Sequence, residues 1–339
     1  SLLEKFTAKH NIKIKTVINK IRSFSELKIC VVGDLIIDEY IHCDTLGLSR
    51  EQPSIVVSPT KNDLYLGGAG IVASHAASLG AKVDFISVSG NDNERKYALK
   101  KLKEYGLTSK VFVDENRKTS LKQRFITDKK VILKVSHLHQ FAISMEIQRK
   151  LFNYVQRNIK SYDLIIFSDF NYGVLPQELV DKITTLGLKE KICMTADSQT
   201  SSQIGDISRF KFMDLLTPTE REIRLSLKNN QDGLVVIADK LLELSKAKNI
   251  ILTLGEEGVL VHASNKKIPI FTDQLETLNL NPLDASGAGD SLLVGASMCL
   301  ACGGSIWESA MIGSLMSSIQ ISRMGNIPIR QKDLLRKLY

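Results

Sequence analysis

The most informative segment of the chain is residues 282–292, which read PLDASGAGDSL. A turn of small residues leads there into an apolar helical pattern that starts at Ser291. Glycines let the backbone approach a ligand closely, and the free N–H groups in the first turn of a helix point outward. The amides of Gly287, Ala288 and Gly289 are therefore predicted to form an anion hole that suits a phosphate group.

A carboxylate follows this predicted anion hole directly. Asp290 would repel a bound phosphate, so its position needs a chemical reason. As a general base, it would take the proton of a hydroxyl group that attacks the phosphoryl group held there. The alternative is a structural role as the helix N-cap, which Asp often fills. Because the pattern Asp-x-x-Gly-x-Gly-Asp contains more than a cap requires, we favour a catalytic role.

Strand-like and helix-like patterns alternate along most of the chain. Short, fully apolar runs are typical of buried strands, and the stretches between them have the amphipathic spacing of surface helices. The alternation predicts an α/β fold with a doubly wound, mostly parallel sheet covered on both faces. The predicted strands are residues 29–33, 83–88, 164–167, 192–196, 215–217 and 250–254. The predicted helices are residues 69–79, 94–105, 146–159, 176–186, 220–227 and 234–247.

Two stretches break this alternation. Residues 40–66 and 109–139 contain strand-like runs without helices between them, and such strands usually pair antiparallel. We expect both insertions to form one small β-sheet lid outside the main sheet. Because the outer face of such a sheet needs a cover, a homodimer through the lid is predicted. The chain then consists of a helical extension, residues 1–27, and one domain with its lid, residues 28–339.

Composition places the chain among ordinary globular proteins. Its 339 residues are 43% hydrophobic and 24% charged, which excludes disordered, collagen-like and coiled-coil chains. Much of the net charge of +8 lies in residues 1–28, which hold seven Lys or Arg against Glu4 and Glu26. This segment is either an arm for nucleic acid or membrane or the solvated face of an amphipathic helix. We favour the helix, whose inward residues would be Leu2, Leu3, Phe6, Ile12, Ile14, Val17, Ile18 and Ile21.

No nucleic-acid or membrane partner is therefore predicted. Neither a secretory signal pattern nor a run of about 18 apolar residues is present, which indicates a soluble, cytoplasmic protein. The five cysteines are irregularly spaced and suggest no disulfide framework. The pairs Cys299-x-x-Cys302 and His137-x-His139 lack the further ligands that a redox or metal site needs.

At residues 284–290 the chain resembles the PfkB/ribokinase family of ATP-dependent sugar kinases, whose signature is Asp-Thr-x-Gly-Ala-Gly-Asp. The resemblance extends over residues 28–330, because further landmarks of the family recur in order. They are GDLIID at residues 33–38, GGAG at residues 67–70, TPTERE at residues 217–222 and TLGEEG at residues 253–258. The resemblance implies a ribokinase-like fold and phosphoryl transfer to a sugar hydroxyl.

The resemblance also implies the roles of single residues. ATP and Mg²⁺ would be the cofactors, with the metal near Glu222 through water. The residues that order magnesium and nucleotide would be Thr219, Glu220, Arg221, Glu222, Thr253 and Gly255. The residues beside the sugar would be Asp34, Asp38, Gly67, Gly68 and Gly70. The lid would close over the sugar and exclude water.

Within the family, several motifs resemble the heptose 7-phosphate kinase domain of ADP-heptose synthesis. They are VVGD at residues 31–34 with Asp38, GGA at residues 67–69 and DFNYGVL at residues 169–175. This resemblance implies a sugar phosphate as substrate and a role in cell-surface polysaccharide precursor synthesis, such as that of lipopolysaccharide. The nucleotidyltransferase that often accompanies such a kinase does not fit in this chain, so a separate protein is expected to supply it.

Two positions depart from the family's motifs, where Thr219 replaces an Asn and Ala285 replaces the Thr of the signature, and three more depart from the heptose-type pattern. An Asn that contacts the sugar is replaced by Ile71, and two Lys are replaced by Tyr172 and Gln199. Because the phosphoryl-transfer residues are retained, we expect a kinase whose sugar specificity has changed. The alternatives are a non-catalytic or regulatory sugar- or nucleotide-binding protein and a nucleoside kinase. Neither a complete dinucleotide fingerprint nor a Walker motif is present.

Overall fold

The computed structural model describes residues 1–200 and 205–339. The strands are β1 Lys28–Gly33, β2 Leu35–Leu48, β3 Ile55–Gly68, β4 Lys82–Ser89, β5 Thr108–Val113, β6 Ser120–Thr127, β7 Lys130–His137, β8 Leu164–Asp169, β9 Cys193–Ser198, β10 Leu215–Leu216, β11 Asn249–Thr253, β12 Val259–Ala263 and β13 Thr272–Leu275. The α-helices are α1 Leu2–Lys9, α2 Ile14–Arg22, α3 Ala69–Ser78, α4 Asn93–Glu104, α5 Met145–Asn158, α6 Gln177–Lys189, α7 Glu220–Leu227, α8 Leu234–Ser245, α9 Ala288–Ala301, α10 Ile306–Ile321 and α11 Gln331–Leu335.

A large mixed sheet forms the centre of the molecule, with the strand order β13-β12-β11-β10-β9-β8-β1-β4-β5. Its strands from β11 to β5 are parallel, and β12 and β13 add an antiparallel edge. One apolar cluster packs α2, α3, α9 and α10 on one face, and a second packs α5, α6 and α8 on the other. The predicted doubly wound α/β fold is therefore confirmed.

A separate four-stranded sheet, β3-β2-β6-β7, forms the lid. The prediction placed residues 109–139 in the lid, but residues 111–113 belong to β5, which pairs parallel with β4 in the main sheet. This strand follows α4, and a strand-helix-strand crossover returns the chain to the same sheet. The expected antiparallel pairing was also wrong for β2 and β6, which run parallel. Strands joined by a short connection usually pair antiparallel, but the chain passes through the main sheet between β3 and β6, so this rule does not apply to β6.

The basic N-terminal segment forms two helices, α1 and α2, rather than the single predicted helix. The break lies near Asn11, whose φ of 53° is left-handed. Phe6, Val17 and Ile21 are buried against the main domain as predicted, whereas Leu2 is exposed. The division of the chain after residue 27 stays a prediction.

Part of the positive charge of this segment is paired with the main domain. Lys9 Nζ lies 2.9 Å from Asp273 Oδ1, and His10 Nε2 lies 2.6 Å from Asp273 Oδ2. Asp273 belongs to β13, so α1 is tied to the antiparallel edge of the main sheet. The N-terminal helices therefore pack on the main domain as part of one body.

Two further features bear on the sequence predictions. Among the described residues, none of the helices combines the length and hydrophobicity needed to cross a lipid bilayer. The five cysteines are all free. His137 ends β7 and contacts Gln123, while the ring of His139 packs against Phe141.

Candidate active site

The candidate site lies at the carboxyl edge of the main sheet, where the strand order reverses. In the main sheet, β1 has β4 as its neighbour on one side and β8, which comes later in the chain, on the other. Ligands of open α/β sheets bind in the crevice at such a switch point. Carboxylates gather at this edge, because Asp34 follows β1, Asp169 ends β8 and Asp197 lies near the end of β9.

A cavity of about 1400 Å³ opens at this edge. It exceeds the usual size of a pocket for a small ligand, and it has room for a nucleotide. Every residue predicted for catalysis or for nucleotide binding lines it, namely Thr219, Glu220, Arg221, Glu222, Thr253, Gly255, Gly287, Ala288, Gly289 and Asp290. The structure thus brings together three sequence segments, in which Thr219 and Asp290 lie 71 residues apart.

The glycine turn at the start of α9 places its N-cap in a backbone conformation that requires glycine. Gly287 is the N-cap, with a φ of 79° that L side chains rarely adopt. A Cβ at Gly287 would lie 2.7 Å from Asn326 Oδ1, so the close packing also requires glycine. The first amides of a helix have no intrahelical acceptor. The Ala288 N–H closes the turn with a long bond of 3.4 Å to Ala285 O.

Asp290 is the third residue of α9 and does not cap it, so the N-cap alternative is wrong. Its side chain is buried, and Gln199 Nε2 donates a hydrogen bond of 2.8 Å to its Oδ1. Burial and the charge of Asp38 raise the pKa of Asp290 to about 7, against the opposing effects of Lys122 and Gln199. A carboxylate with this pKa can accept a proton near neutral pH.

Two more buried carboxylates, Glu222 and Asp197, share this cavity. Glu222 forms a capping box with Thr219 at the start of α7, so one of its oxygens is engaged. Burial raises the pKa of Glu222 to about 7. Burial, followed by the charges of Glu222 and Asp290, raises the pKa of Asp197 well above its usual range. Asp197 Oδ1 is buried without a hydrogen-bond partner.

These carboxylates fit a magnesium ion that is bound together with nucleotide phosphates. In residues 1–200 and 205–339, no group of three His, Cys, Asp or Glu side chains could hold a metal by itself. Mg²⁺ usually takes only one or two carboxylates and completes its coordination with water and phosphate oxygens. Glu222 and Asp197 supply that number, and burial disfavours the ionised form of both carboxyl groups, which a nearby cation would offset.

The opposite wall of the cavity is built by a tight turn after β11. The Thr253 N–H donates to Pro218 O at 2.9 Å, which joins this turn to the segment before α7. A 3₁₀ turn, Gly255–Glu257, begins at Gly255, whose φ is 60°. Arg221 is exposed on α7 at the rim of the cavity. The residues predicted along the nucleotide therefore form one continuous surface.

The predicted sugar-side residues lie beside this cavity rather than in its lining. Asp38 of β2 is buried, and Asn326 Nδ2 donates a hydrogen bond of 2.7 Å to its Oδ2. Arg124 Nη1 lies 3.8 Å from its other oxygen. Burial raises the pKa of Asp38, while Arg124, Lys122 and Asn326 oppose the rise. Gly67 faces Asp38, because a Cβ at Gly67 would collide with that carboxylate.

Asp34 was predicted to contact the sugar, but the structure places its carboxylate against main-chain amides. It accepts hydrogen bonds from the N–H groups of Phe170 at 2.7 Å and Val174 at 3.2 Å. Burial and the charge of Asp169 raise the pKa of Asp34 to about 7. Gly68 and Gly70 are buried at the start of α3, and the Ala69 N–H donates to Asp34 O at 2.8 Å. Asp34 therefore holds the loop after β8 in place.

Two cations of the lid strand β6 were missed by the sequence analysis. Lys122 pairs in register with Asp38, and Arg124 pairs with Tyr40. Arg124 Nη2 donates to Ser286 Oγ at 3.1 Å, while its Nη1 is buried without a hydrogen-bond partner. Both residues are two apart on one strand, so they share one face. The spacing in the sequence could have indicated that Lys122 and Arg124 share a face. It does not show that β6 pairs in parallel with β2.

The three departures from the heptose-type pattern take distinct places. Ile71 is buried in α3. Tyr172 is buried beneath the lid, where Lys122 Nζ lies 5.3 Å from the centre of its ring. Lys122 of lid strand β6 thus lies over Tyr172, the position at which the heptose-type pattern has a lysine. Gln199 donates to Asp290 and, at 3.2 Å, to Asp197 Oδ2, so a neutral amide joins the two carboxylates.

Comparison with known sequences assigns this architecture to a family. The sequence profile of the pfkB family carbohydrate kinases matches residues 26–332. The bifunctional protein HldE of Trichlorobacter lovleyi is 30% identical over 315 residues, which cover 92% of this chain and 62% of that protein. The chain thus spans less than two thirds of the length of this curated relative.

Solved structures show the same fold. Phosphofructokinase-2 from Escherichia coli in complex with fructose-6-phosphate superposes with a TM-score of 0.74 at 17% identity, covering 92% of this chain and 98% of that one. Arabidopsis thaliana ribokinase complexed with ribose and ATP gives a TM-score of 0.70 at 16% identity, with the same coverage. The predicted ribokinase-like fold is confirmed.

Proposed function

Because the chain belongs to the pfkB family of carbohydrate kinases, we propose that it transfers the γ-phosphoryl group of ATP to a hydroxyl group of a sugar phosphate. One observation carries this proposal. A buried carboxylate, Asp290, stands in the first turn of α9 directly after the glycine turn, in the cavity that the nucleotide-side residues also line. A cytoplasmic location, where ATP is available, is part of the proposal.

The proposed step exchanges one phosphorus–oxygen bond for another. The sugar hydroxyl oxygen bonds to the γ-phosphorus as the bond from that phosphorus to the β–γ bridging oxygen breaks, and ADP leaves. Asp290 accepts the hydroxyl proton. The amides of Gly287, Ala288 and Gly289 stabilise the negative charge on the phosphoryl group in transfer. The lid sheet, which supplies Asp38, Lys122 and Arg124, shields the reacting groups from water.

Glu222 and Asp197 would hold the Mg²⁺ that accompanies the nucleotide. The metal supplies positive charge that neutralises the phosphate oxygens. The protein contributes buried carboxylates whose raised pKa values fall when a cation binds nearby. Thr219 keeps Glu222 in place through the capping box, so that the carboxylate orientation is set before nucleotide binds.

The acceptor is proposed to carry its own phosphate group. Lys122 makes no ion pair in the described ranges and instead stands over the rings of Phe170 and Tyr172. Arg124 retains a buried donor without a partner. A lysine without an ion pair and an arginine with a free buried donor, both beside a sugar site, suit an anionic substrate. Together with the resemblance to heptose 7-phosphate kinases, they make a heptose phosphate our proposed acceptor.

We place this reaction in the synthesis of cell-surface polysaccharide precursors such as lipopolysaccharide. The product, a sugar bearing a new phosphate, is the kind of substrate that a nucleotidyltransferase activates. The relative from Trichlorobacter lovleyi is named bifunctional and is longer than this chain, which agrees with a second activity that acts next. A nucleotidyltransferase is accordingly the proposed partner reaction.

A substrate panel tests the proposed function. ATP consumption is measured with heptose phosphates, hexose phosphates, free sugars and nucleosides, and ADP formation is matched to a phosphorylated product by mass spectrometry. We expect the sugar phosphates to give the highest kcat/KM. Turnover confined to nucleosides would assign a nucleoside kinase instead, and binding without turnover of any compound would assign a regulatory protein.

A further inference from the structure

A buried glutamine lies directly beneath the glycine turn. Gln320, in the last turn of α10, is fully buried. Its Nε2 donates to Ser286 O at 3.3 Å and to Gly325 O at 3.1 Å. The opposite orientation of this amide would point its oxygen at two carbonyl oxygens, so the hydrogen bonds fix the orientation. Its Oε1 is buried without a hydrogen-bond partner.

This contact determines the direction of one amide of the predicted anion hole. The carbonyl of Ser286 and the N–H of Gly287 belong to the same peptide unit, which is planar and trans. The two groups therefore point in opposite directions. With the carbonyl directed toward Gln320 Nε2, the Gly287 N–H points away from that side-chain amide, and Gly287 lines the cavity.

A second buried amide joins the same turn to the sugar side. Asn326 Nδ2 donates to Asp38 Oδ2 at 2.7 Å, and its Oδ1 packs against Gly287. Asn326 follows Gly325, whose carbonyl Gln320 holds. The side chain of Gln320 thus ties together the glycine turn and the segment that reaches Asp38.

We propose that Gln320 is a positioning residue for phosphoryl transfer: it fixes the Ser286–Gly287 peptide so that the Gly287 N–H faces the transferred group. The inference rests on the proposed function, because it requires the glycine turn to act as the anion hole. Gln320 touches neither nucleotide nor sugar. It acts through the orientation of the Ser286–Gly287 peptide. Its hydrogen bond to Gly325 O also helps to position the next residue, Asn326, against Asp38.

The alternative is a purely structural role, in which Gln320 only stabilises the end of α10. The chain offers a matched control for it, because Gln331 Nε2 also donates to two backbone carbonyls, those of Ile21 at 3.0 Å and Leu79 at 2.9 Å. Gln331 lies in α11 and does not line the cavity. The variants Gln320→Met and Gln331→Met remove the same kind of interaction with little change in side-chain length.

The kinetic test compares kcat, the KM for sugar phosphate and the thermal midpoint in both variants. Misplacing one donor of an anion hole should lower the kcat of Gln320→Met by about 10- to 100-fold, with the KM for sugar phosphate changed by less than about 3-fold. Gln331→Met should lose thermal stability to a similar degree and keep its kcat. Equal kcat values in the two variants would overturn the proposal.

A crystal structure of Gln320→Met gives a readout that does not depend on activity. We expect the Ser286–Gly287 peptide to rotate when its carbonyl loses the amide donor. An unchanged peptide would overturn the proposal even if kcat falls. If the unmodified protein phosphorylates no compound of the panel, the proposed function fails, and the orientation of this peptide alone decides the role of Gln320.

Discussion

At the scale of single residues, the chemistry of the site depends on the pKa values of a few buried carboxylates and on the charges beside them. Asp290 must be ionised to accept a proton, and its pKa is raised to about 7 by burial and by the charge of Asp38. A cation in the same place would have held that pKa down, but the neighbour at hydrogen-bond distance is the neutral amide of Gln199. Asp290 is therefore about half ionised near neutral pH.

The pH profile tests this charge arrangement. We expect kcat/KM to fall as pH decreases through about 7, because protonated Asp290 no longer accepts a proton. Asp38→Asn removes a charge that raises this pKa and should move the acidic limb to lower pH, whatever it does to the maximal rate. The measurement is kcat/KM from pH 5 to 9. A kcat/KM of the unmodified protein that does not fall between pH 8 and pH 5 would refute the assignment.

Gln199 offers an independent test of the same residue. Gln199→Lys places an ammonium group beside Asp290, which favours the ionised carboxylate and should lower the acidic limb by roughly one to three pH units. Gln199→Met removes the hydrogen bond and should raise the limb instead. Opposite shifts from one position assign the limb to a carboxylate that Gln199 contacts, and a further shift with Asp38→Asn identifies it as Asp290 rather than Asp197. A limb that moves in neither variant belongs to another residue.

The residue assignments show where sequence reasoning reached its limit. Asp290, Glu222 and Thr253 were predicted because each lies in a short motif, and the cavity contains all three. Lys122 and Asn326 were missed because their contacts join residues that are far apart in the chain, as Asn326 and Asp38 do. Strand register brings Lys122 to Asp38, and the segment after α10 brings Asn326 to it, so both contacts exist only in the folded chain.

At the scale of elements, the alternation of apolar strands and amphipathic helices was sufficient to predict six strands of the main sheet, namely β1, β4, β8, β9, β10 and β11. The errors lie where periodicity carries no information on pairing. Residues 111–113 have the same apolar pattern as a lid strand, yet the crossover through α4 places them in the main sheet. The antiparallel edge of β12 and β13 was also not predicted, because short strands without a helix between them resemble loops.

The lid strand β6 carries the prediction on substrate recognition. Lys122→Met should raise the KM for the sugar phosphate by about 10- to 100-fold, the range expected when a charged hydrogen bond to phosphate is lost. The KM for ATP should stay unchanged. Lys110→Met is the matched control, because Lys110 also lies over an aromatic ring, that of Phe112, but belongs to β5 of the main sheet and not to the lid. Equal effects of both variants would contradict this role of Lys122.

At the scale of the whole molecule, the lid sheet leaves apolar side chains exposed. Leu48 is 72% exposed, Ile55 opposite it in register is 66% exposed, and Leu133 on β7 is 54% exposed. Exposed apolar side chains such as the paired Leu48 and Ile55 often mark an interaction surface. We propose that a second copy of the chain covers them, so that two lids meet.

Sedimentation velocity tests this dimer. We expect the unmodified protein to sediment as a dimer and the double variant Leu48→Asp, Leu133→Asp to sediment as a monomer, because buried unpaired charge at an interface is strongly unfavourable. Leu188→Asp is the control, since Leu188 on α6 is also exposed but lies outside the lid. A monomeric unmodified protein, or a dimer that survives the double substitution, rules out assembly through the lid.

The most direct test of the central claim is the kcat of Asp290→Asn, measured together with ATP affinity. Removal of the general base should lower kcat by about 10²- to 10⁴-fold. ATP affinity should change by less than about 3-fold, and the melting temperature should not fall, because burial already disfavours the ionised carboxylate. A kcat close to that of the unmodified protein, with ATP affinity intact, would show that proton transfer does not pass through Asp290.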